Sequence, residues 1–393
     1  MFGKQKRIFL DAAAGTPMRQ EVKDRLFETL SLAGNPGSIH TEGRGAREVL
    51  ESAREEAALA IRALPREIVF LSGGTEANNL ALFGSVRVLP RGPFHIITTA
   101  VEHSSVLECV RALEREGCTA TYLPVDEEGR ISLKQLREAM TEQTLLVSIQ
   151  YVNSETGVIQ DVREIAKTIR HARKERKGGL PLLFHTDASQ APLYLSCDTP
   201  KLGVDMMTLD AQKMGGPKGV GILYVKSGTQ LAPLILGGGQ EKGLRSGTEN
   251  VPFAAACARA LSLAQKEYET TEKRVGAWRD ALWTEIKRVI PEAEMNGSYE
   301  KRIANVLNIH IPALDAELAV VGLDAKGIAA SARSACDMKE GGASYVIEAM
   351  GYGRGRAQES VRFSLLAYEK PPAARVAEAL VATRALAHRQ KLT

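Results

Sequence analysis

From about residue 45 to residue 225, short apolar runs alternate with amphipathic stretches of helical period, and few folds accept such a string. The runs are IVFLS (68–72), HIITT (95–99), LLVSIQYV (145–152), LPLLFHTD (180–187), MMTLD (206–210) and GVGILYV (219–225). Stretches such as TEANNLALFGSV, SSVLECVRALEREG and DVREIAKTIRHARKE lie between them. Strands covered on both faces read as continuous apolar runs, and parallel neighbours need a long crossover between them. The pattern therefore predicts an α/β fold, a mostly parallel sheet with helices on both faces. Ligands in such sheets sit beyond the carboxyl ends of the strands. GGTEAN follows the first run, AVEH the second and Asn153 the third; the fourth ends in Asp187, and AQK follows the fifth. Five polar strand ends predict one shared pocket.

The texture changes at the glycine-rich stretch GGGQEKGLRSGTEN (237–250). A long helical pattern follows to about residue 290, then strand-like NVLNIHI (305–311) and VRFSLL (361–366), then a closing helix near 372–388. We expect two domains: residues 16–250 as the large one, and residues 251–393 with 1–15 as a smaller α+β one.

Bulk properties exclude several classes. Of the 393 residues, 44% are hydrophobic and 25% charged, which is globular rather than disordered. Fifty-one basic against 47 acidic residues give +4, too small an excess to suggest nucleic acid. The run RHARKERK (170–177) reads as a solvated helix end before Gly178 and Gly179. Neither a signal peptide nor a membrane span is expected. Five cysteines (Cys109, Cys118, Cys197, Cys257, Cys336) with no CxxC pair argue against a disulfide framework or a metal site and for a reducing cytoplasm.

The chemistry centres on DAQKMGGPKG (210–219). A partly buried lysine loses proton affinity and forms Schiff bases with carbonyls. Lys213, just past a strand end, suits this better than Lys218 inside the GPKG turn. Asp187 in FHTDASQ offers a carboxylate for a pyridine nitrogen, or an N-cap for a helix beginning at ASQ. SGGTEAN (72–78), with Gly74 and Thr75, makes an anion site where a helix opens after a strand. His103 offers an imidazole that stacks on a ring and moves protons, or a plain helix-start histidine. Arg362, on a strand, offers a bidentate carboxylate clamp or an exposed salt bridge.

Together these residues resemble the class V aminotransferases among the fold-type I pyridoxal-phosphate (PLP) enzymes, and within them the cysteine desulfurases. GNPGSIH, REIVFLSGGTEANNLA, EHSSV, VNSETGVIQD, HTDASQ, QKMGGPKGVG, GGGQEKGLRSGTEN, SARSAC and ESVRFSL carry the resemblance almost end to end. It implies a PLP-dependent conversion of L-cysteine to L-alanine, leaving a persulfide on Cys336 for a sulfur-acceptor protein, as in iron–sulfur cluster assembly or tRNA thiolation. By the resemblance, Lys213 is the Schiff-base lysine, Asp187 the pyridinium partner and His103 the stacking acid/base. Asn153 and Gln190 bond the cofactor's phenolic oxygen, and Thr75, with Gly74 beside it, takes the phosphate. Asn35 and Arg362 hold the substrate carboxylate. Thr248 reaches a partner subunit's phosphate in a homodimer.

Two stretches depart from the family pattern. Asp210-Ala211-Gln212 stands where Ser-Gly-His is usual; Gln212 still offers a donor for the phosphate, whereas Asp210 is expected to turn away or to bind a backbone amide. SARSAC carries Arg333 in place of a glycine. The alternatives are a selenocysteine lyase or another PLP lyase or aminotransferase, and a PLP-binding protein without turnover that acts as a partner or regulator.

Overall fold

The computed structural model describes residues 6–90, 92–332 and 343–390; Arg333 and Cys336 lie outside them. Seven strands form the central sheet: β2 (Ile68–Leu71), β3 (His95–Thr99), β4 (Thr119–Leu123), β5 (Thr144–Ser148), β6 (Leu183–Asp187), β7 (Met206–Asp210) and β8 (Gly221–Val225), after a short β1 (Ile8–Phe9). Their order is β2-β8-β7-β6-β5-β3-β4, and only β8 is antiparallel to its neighbours. Inserting one reversed strand leaves β2 pointing the same way as β7. The carboxyl ends of β2, β3, β5, β6 and β7 therefore open on one edge.

Side chains alternate between two apolar layers. Val69, Leu71, Met206 and Leu223 face one; Phe70, Met207, Leu209 and Ile222 face the other. Helices α3 (Gly74–Arg87) and α4 (Ser104–Arg115) cover the first layer through Ala77, Leu80, Val106 and Val110. The second is covered by α2 (Thr41–Ala60), α6 (Val162–Glu175) and the start of α8 (Val251–Val289), through Ala53, Ile165 and Ala255. Among the described residues no helix is long and apolar enough to cross a membrane.

Helix α8 has 39 residues and is about 58 Å long at 1.5 Å per residue, enough to pass beyond the central sheet. Its later residues Leu282 and Ile286 join the core around an antiparallel sheet of β9 (Glu294–Met295), β10 (Val306–His310) and β12 (Ser360–Ser364). β1 pairs in parallel with β11 (Ile328–Ala329), and Asp11 bridges to Ser364, so the N-terminal segment joins the C-terminal elements. Further helices are α1 (Gln20–Thr29), α5 (Leu133–Ala139), α7 (Thr199–Leu202), α9 (Ala316–Asp324), α10 (Tyr345–Ala349), α11 (Arg354–Gln358) and α12 (Ala373–Gln390).

Three local expectations are corrected. No helix begins at ASQ: residues 188–190 make a turn, closed by the Ser189 N–H on Asp187 Oδ1 at 2.9 Å, and Pro192 disfavours helical backbone just before it. The run 145–152 leaves the ladder after Ser148, because the chain turns into the Val152–Ile159 bridge. Edge strand β4 gave no apolar run, since its residues are mostly half-exposed.

Candidate active site

The strand ends meet around a cavity of about 250 Å³ lined by Gly74, Thr75, His103, Asp187, Gln190, Gln212, Lys213 and Arg362, eight residues singled out in the sequence. Lys213 closes the turn after β7 and donates from Nζ to the carbonyls of Ala13 and Ala14, both at 2.8 Å. Gln190 Nε2 donates to the same Ala13 carbonyl at 3.0 Å. Ala13 is itself held by its N–H on Ser364 Oγ at 2.9 Å. The N-terminal segment thus crosses the cavity as a strap over the lysine. Lys218 is exposed in the next turn and lines no part of the cavity.

Asp187 ends β6 with both carboxylate oxygens occupied. Oδ1 accepts from the Ser189 N–H at 2.9 Å and Oδ2 from Asn78 Nδ2 at 2.8 Å. Asn78 also donates to Ser105 Oγ at 2.8 Å, while its own Oδ1 is buried without a partner among the described residues. His103 caps α4: its Nδ1 accepts from the Ser105 N–H at 3.2 Å and lies 2.8 Å from Ser105 Oγ. Since Nδ1 accepts, the neutral ring carries its proton on Nε2. Two residues before Asp187 on the same strand face, His185 is held between Ser148 Oγ and Thr208 Oγ1, and burial keeps it neutral by lowering its pKa to about 4.

The anion site forms where β2 enters α3. No side chain caps α3, so its first amides face the cavity edge uncapped. A Cβ on Gly74 would meet Ser189 Oγ at 3.1 Å and Asp210 Oδ2 at 3.3 Å, and one on Gly221 would meet the Gly73 backbone at 2.8 Å. Those two glycines let the helix start press against β7 and β8. Asp210 does bind a backbone amide, that of Gln212 at 3.2 Å, yet it still lines the cavity.

Arg362 is 1% exposed, which overturns its reading as a surface salt bridge. It donates from Nη2 to Asp11 Oδ1 at 2.8 Å and from Nη1 to the Ser154 carbonyl at 3.0 Å. Its Nε is buried without a partner among the described residues. Three expected residues stand apart from the cavity. Asn153 is buried beside it but not in its lining: its amide caps Glu155 and Thr156 and donates to the Val101 carbonyl. Asn35 is exposed on the loop between α1 and α2, accepting from the Gly37 N–H. Thr248 is exposed beside Arg245 in a separate surface pocket.

Sequence reading missed Asn78, Ser105 and Asp11. Asn78 lies three residues after Thr75, one helical turn along the same face, and that spacing was the available signal. Among the described residues no cluster of three His, Cys, Asp or Glu groups suits a metal.

Residues 8–371 match the model of the aminotransferase class-V family. The chain belongs to that family. This class-V chain is 38% identical over 93% of its length to the cysteine desulfurase IscS of Dictyoglomus turgidum, covering 91% of that protein. It is 40% identical over 91% of its length to the mitochondrial cysteine desulfurase of Drosophila melanogaster, covering 76% of that protein. Among solved structures, a NifS-like protein superposes with a TM-score of 0.88 at 32% identity, covering 98% of this chain and all of that one. A structure of SspA in complex with cysteine superposes at 0.78 with 31% identity, over 92% of this chain and 99% of that one. The class-V family and these neighbours agree with the fold-type I architecture that the resemblance implied, and the central sheet with the mostly parallel one expected from the strand–helix alternation.

Proposed function

We propose that the protein is a pyridoxal-phosphate-dependent cysteine desulfurase: L-cysteine and a protein thiol give L-alanine and a protein persulfide. The observation that carries it is the convergence of Lys213 and Asp187 on one cavity, in a chain whose relatives are named cysteine desulfurases. The donor set fits pyridoxal phosphate: an amine at Lys213, a carboxylate held in place at Asp187, an uncapped helix start at Gly74 and a hydroxyl at Thr75. When bound, the cofactor supplies an aldehyde that condenses with amines and a ring that takes up electrons from the substrate's α-carbon.

The chain's own groups do the rest. Asp187, fixed by Asn78 and Ser189, holds a proton on the ring nitrogen. Lys213 Nζ, at the cavity, would carry the α-proton. His103 holds a proton at Nε2 for the thiols. Arg362 takes the substrate carboxylate, with Asp11 and Ser154 holding its guanidinium. Gln190 and Gln212, from the cavity lining, and a partner's copy of Thr248 complete the binding set in this reading, whereas Asn153 and Asn35 stand outside the lining. The Cys336 thiolate attacks the substrate sulfur; the sulfur–sulfur bond forms as the carbon–sulfur bond breaks, the electron pair of the broken bond goes to the β-carbon, and that carbon takes up a proton to become alanine's methyl group.

The described thiols are poorly suited to this role. Cys109, Cys197 and Cys257 are buried, and burial pushes all three pKa values up, disfavouring thiolate. Cys118, half-buried, is also pushed up by burial. We also read the protein as a cytoplasmic homodimer that hands sulfur to an acceptor protein. The relatives weigh against a selenocysteine lyase, another lyase or aminotransferase, or a binding protein without turnover. The test is to supply L-cysteine and a thiol reductant to the cofactor-loaded protein. Alanine and sulfide in equal amounts are expected; neither product would refute the reading.

A further inference from the structure

Asp210 places a carboxylate inside a site built for an anion. It ends β7 and lines the cavity; its Oδ2 would lie 3.3 Å from a Cβ on Gly74, the first residue of uncapped helix α3. The adjacent donor is drawn onto it: the Gln212 amide donates to Asp210 Oδ1 at 3.2 Å and Gln212 Nε2 to Oδ2 at 3.1 Å. Among the described residues no cation pairs with it. Lys213, in the next turn, is directed at the Ala13 and Ala14 carbonyls, and Arg245 is directed at Glu76 in the first turn of α3. Asp187 at the end of β6 adds a second carboxylate to the lining, and His103 on α4 bonds Ser105. Beneath, on α8, burial and then the charge of Asp210 keep the Cys257 thiol protonated. Gly221, paired with Asp210 on β8, brings no charge.

We propose that Asp210 makes cofactor binding proton-linked: the phosphate of pyridoxal phosphate enters the α3 cup with one proton that it shares with the Asp210 carboxylate. This rests on the cofactor reading above and adds a role for a residue that departs from the family pattern. Two anions pressed together do not both stay charged, and one proton between them removes the repulsion. A phosphate monoester has its second pKa near about 6, so that proton is accessible around neutrality. Affinity then falls about tenfold per pH unit above the pH where the free ligand and Asp210 have both lost it. A hydroxyl or amide at position 210 abolishes this dependence.

The probe is pyridoxamine 5′-phosphate, which carries the phosphate but no aldehyde, so Lys213 chemistry does not enter. Titration calorimetry on the full chain freed of cofactor, in buffers of different ionisation enthalpy, counts the protons taken up. At about pH 8 the wild type should take up about one proton more than D210S and bind about tenfold more weakly or worse, the two converging near about pH 6. Unphosphorylated pyridoxamine should show no such difference. D210N serves if D210S folds poorly. Equal proton uptake and parallel pH dependence in wild type and variant would overturn the proposal and leave the cofactor reading intact. Failure of every protein to bind the probe would overturn both.

Discussion

Asn78 Nδ2 lies 2.8 Å from both Asp187 Oδ2 and Ser105 Oγ, tying the carboxylate at the end of β6 to His103 at the head of α4. One amide thus orients the Asp187 carboxylate, proposed as the ring-nitrogen partner, and the cap that holds the His103 imidazole. Removing a buried partner of a charged group costs about 1–3 kcal/mol, or about 5- to 150-fold in an equilibrium or rate. Asn78→Ala is expected to slow alanine formation and weaken cofactor retention by that factor. Steady-state rates and the cofactor dissociation constant check it; wild-type values for both would show the link to be idle.

Lys213 is expected to hold the cofactor covalently. Purified protein should be yellow, and borohydride followed by peptide mass analysis should place the pyridoxyl group on Lys213. The adjacent Lys218 is exposed and outside the cavity lining, and should carry none. Labelling of Lys218, or a colourless protein indifferent to added cofactor, would contradict this.

Much of this site was legible because the sheet is regular. The strands at 95–99 and 206–210 fall on the predicted residues, and each delivers its next polar residues to one edge. The reversal of β8 was not legible: GILYV is buried along its whole length, and continuous apolar runs read alike in either direction. The Asn78 link joins residues 27 and 109 positions apart, and the Arg362–Asp11 pair spans 351 positions, beyond any local pattern. For Arg362 the local sequence offered a surface bridge as the alternative to a clamp, and the burial of β12 removes that alternative.

Glu102 gives a pH-dependent stability. It is fully buried in the turn after β3, and desolvation raises its pKa to about 8 from 4.5, with the charge of Asp187 adding to the rise. Between those values the unfolded chain releases the proton while the folded one keeps it. Stability therefore falls as pH rises through the window, by at most about 1.4 kcal/mol per unit. Glu102→Gln should remove that slope, so its melting temperature should gain on the wild type's between about pH 5 and about pH 8. A constant difference across the range would show that Glu102 ionises normally.

Thr248 should serve the partner subunit's site, since in its own subunit it lies exposed beside Arg245, away from the cavity. Lys213→Ala and Thr248→Ala homodimers should each be impaired. Mixed dimers should regain activity, because one of their two sites contains neither substitution. Unchanged cofactor affinity in Thr248→Ala, with no recovery on mixing, would mean each site is built from one chain.

The sulfur transfer itself is tested most directly by mass spectrometry of the Cys336 peptide after brief exposure of the loaded enzyme to L-cysteine. The account predicts one added sulfur atom on Cys336, alanine released in matching amount, and loss of both in Cys336→Ala, which should still retain the cofactor. Alanine and sulfide produced by Cys336→Ala at the wild-type rate, with no added sulfur on the wild-type peptide, would contradict it.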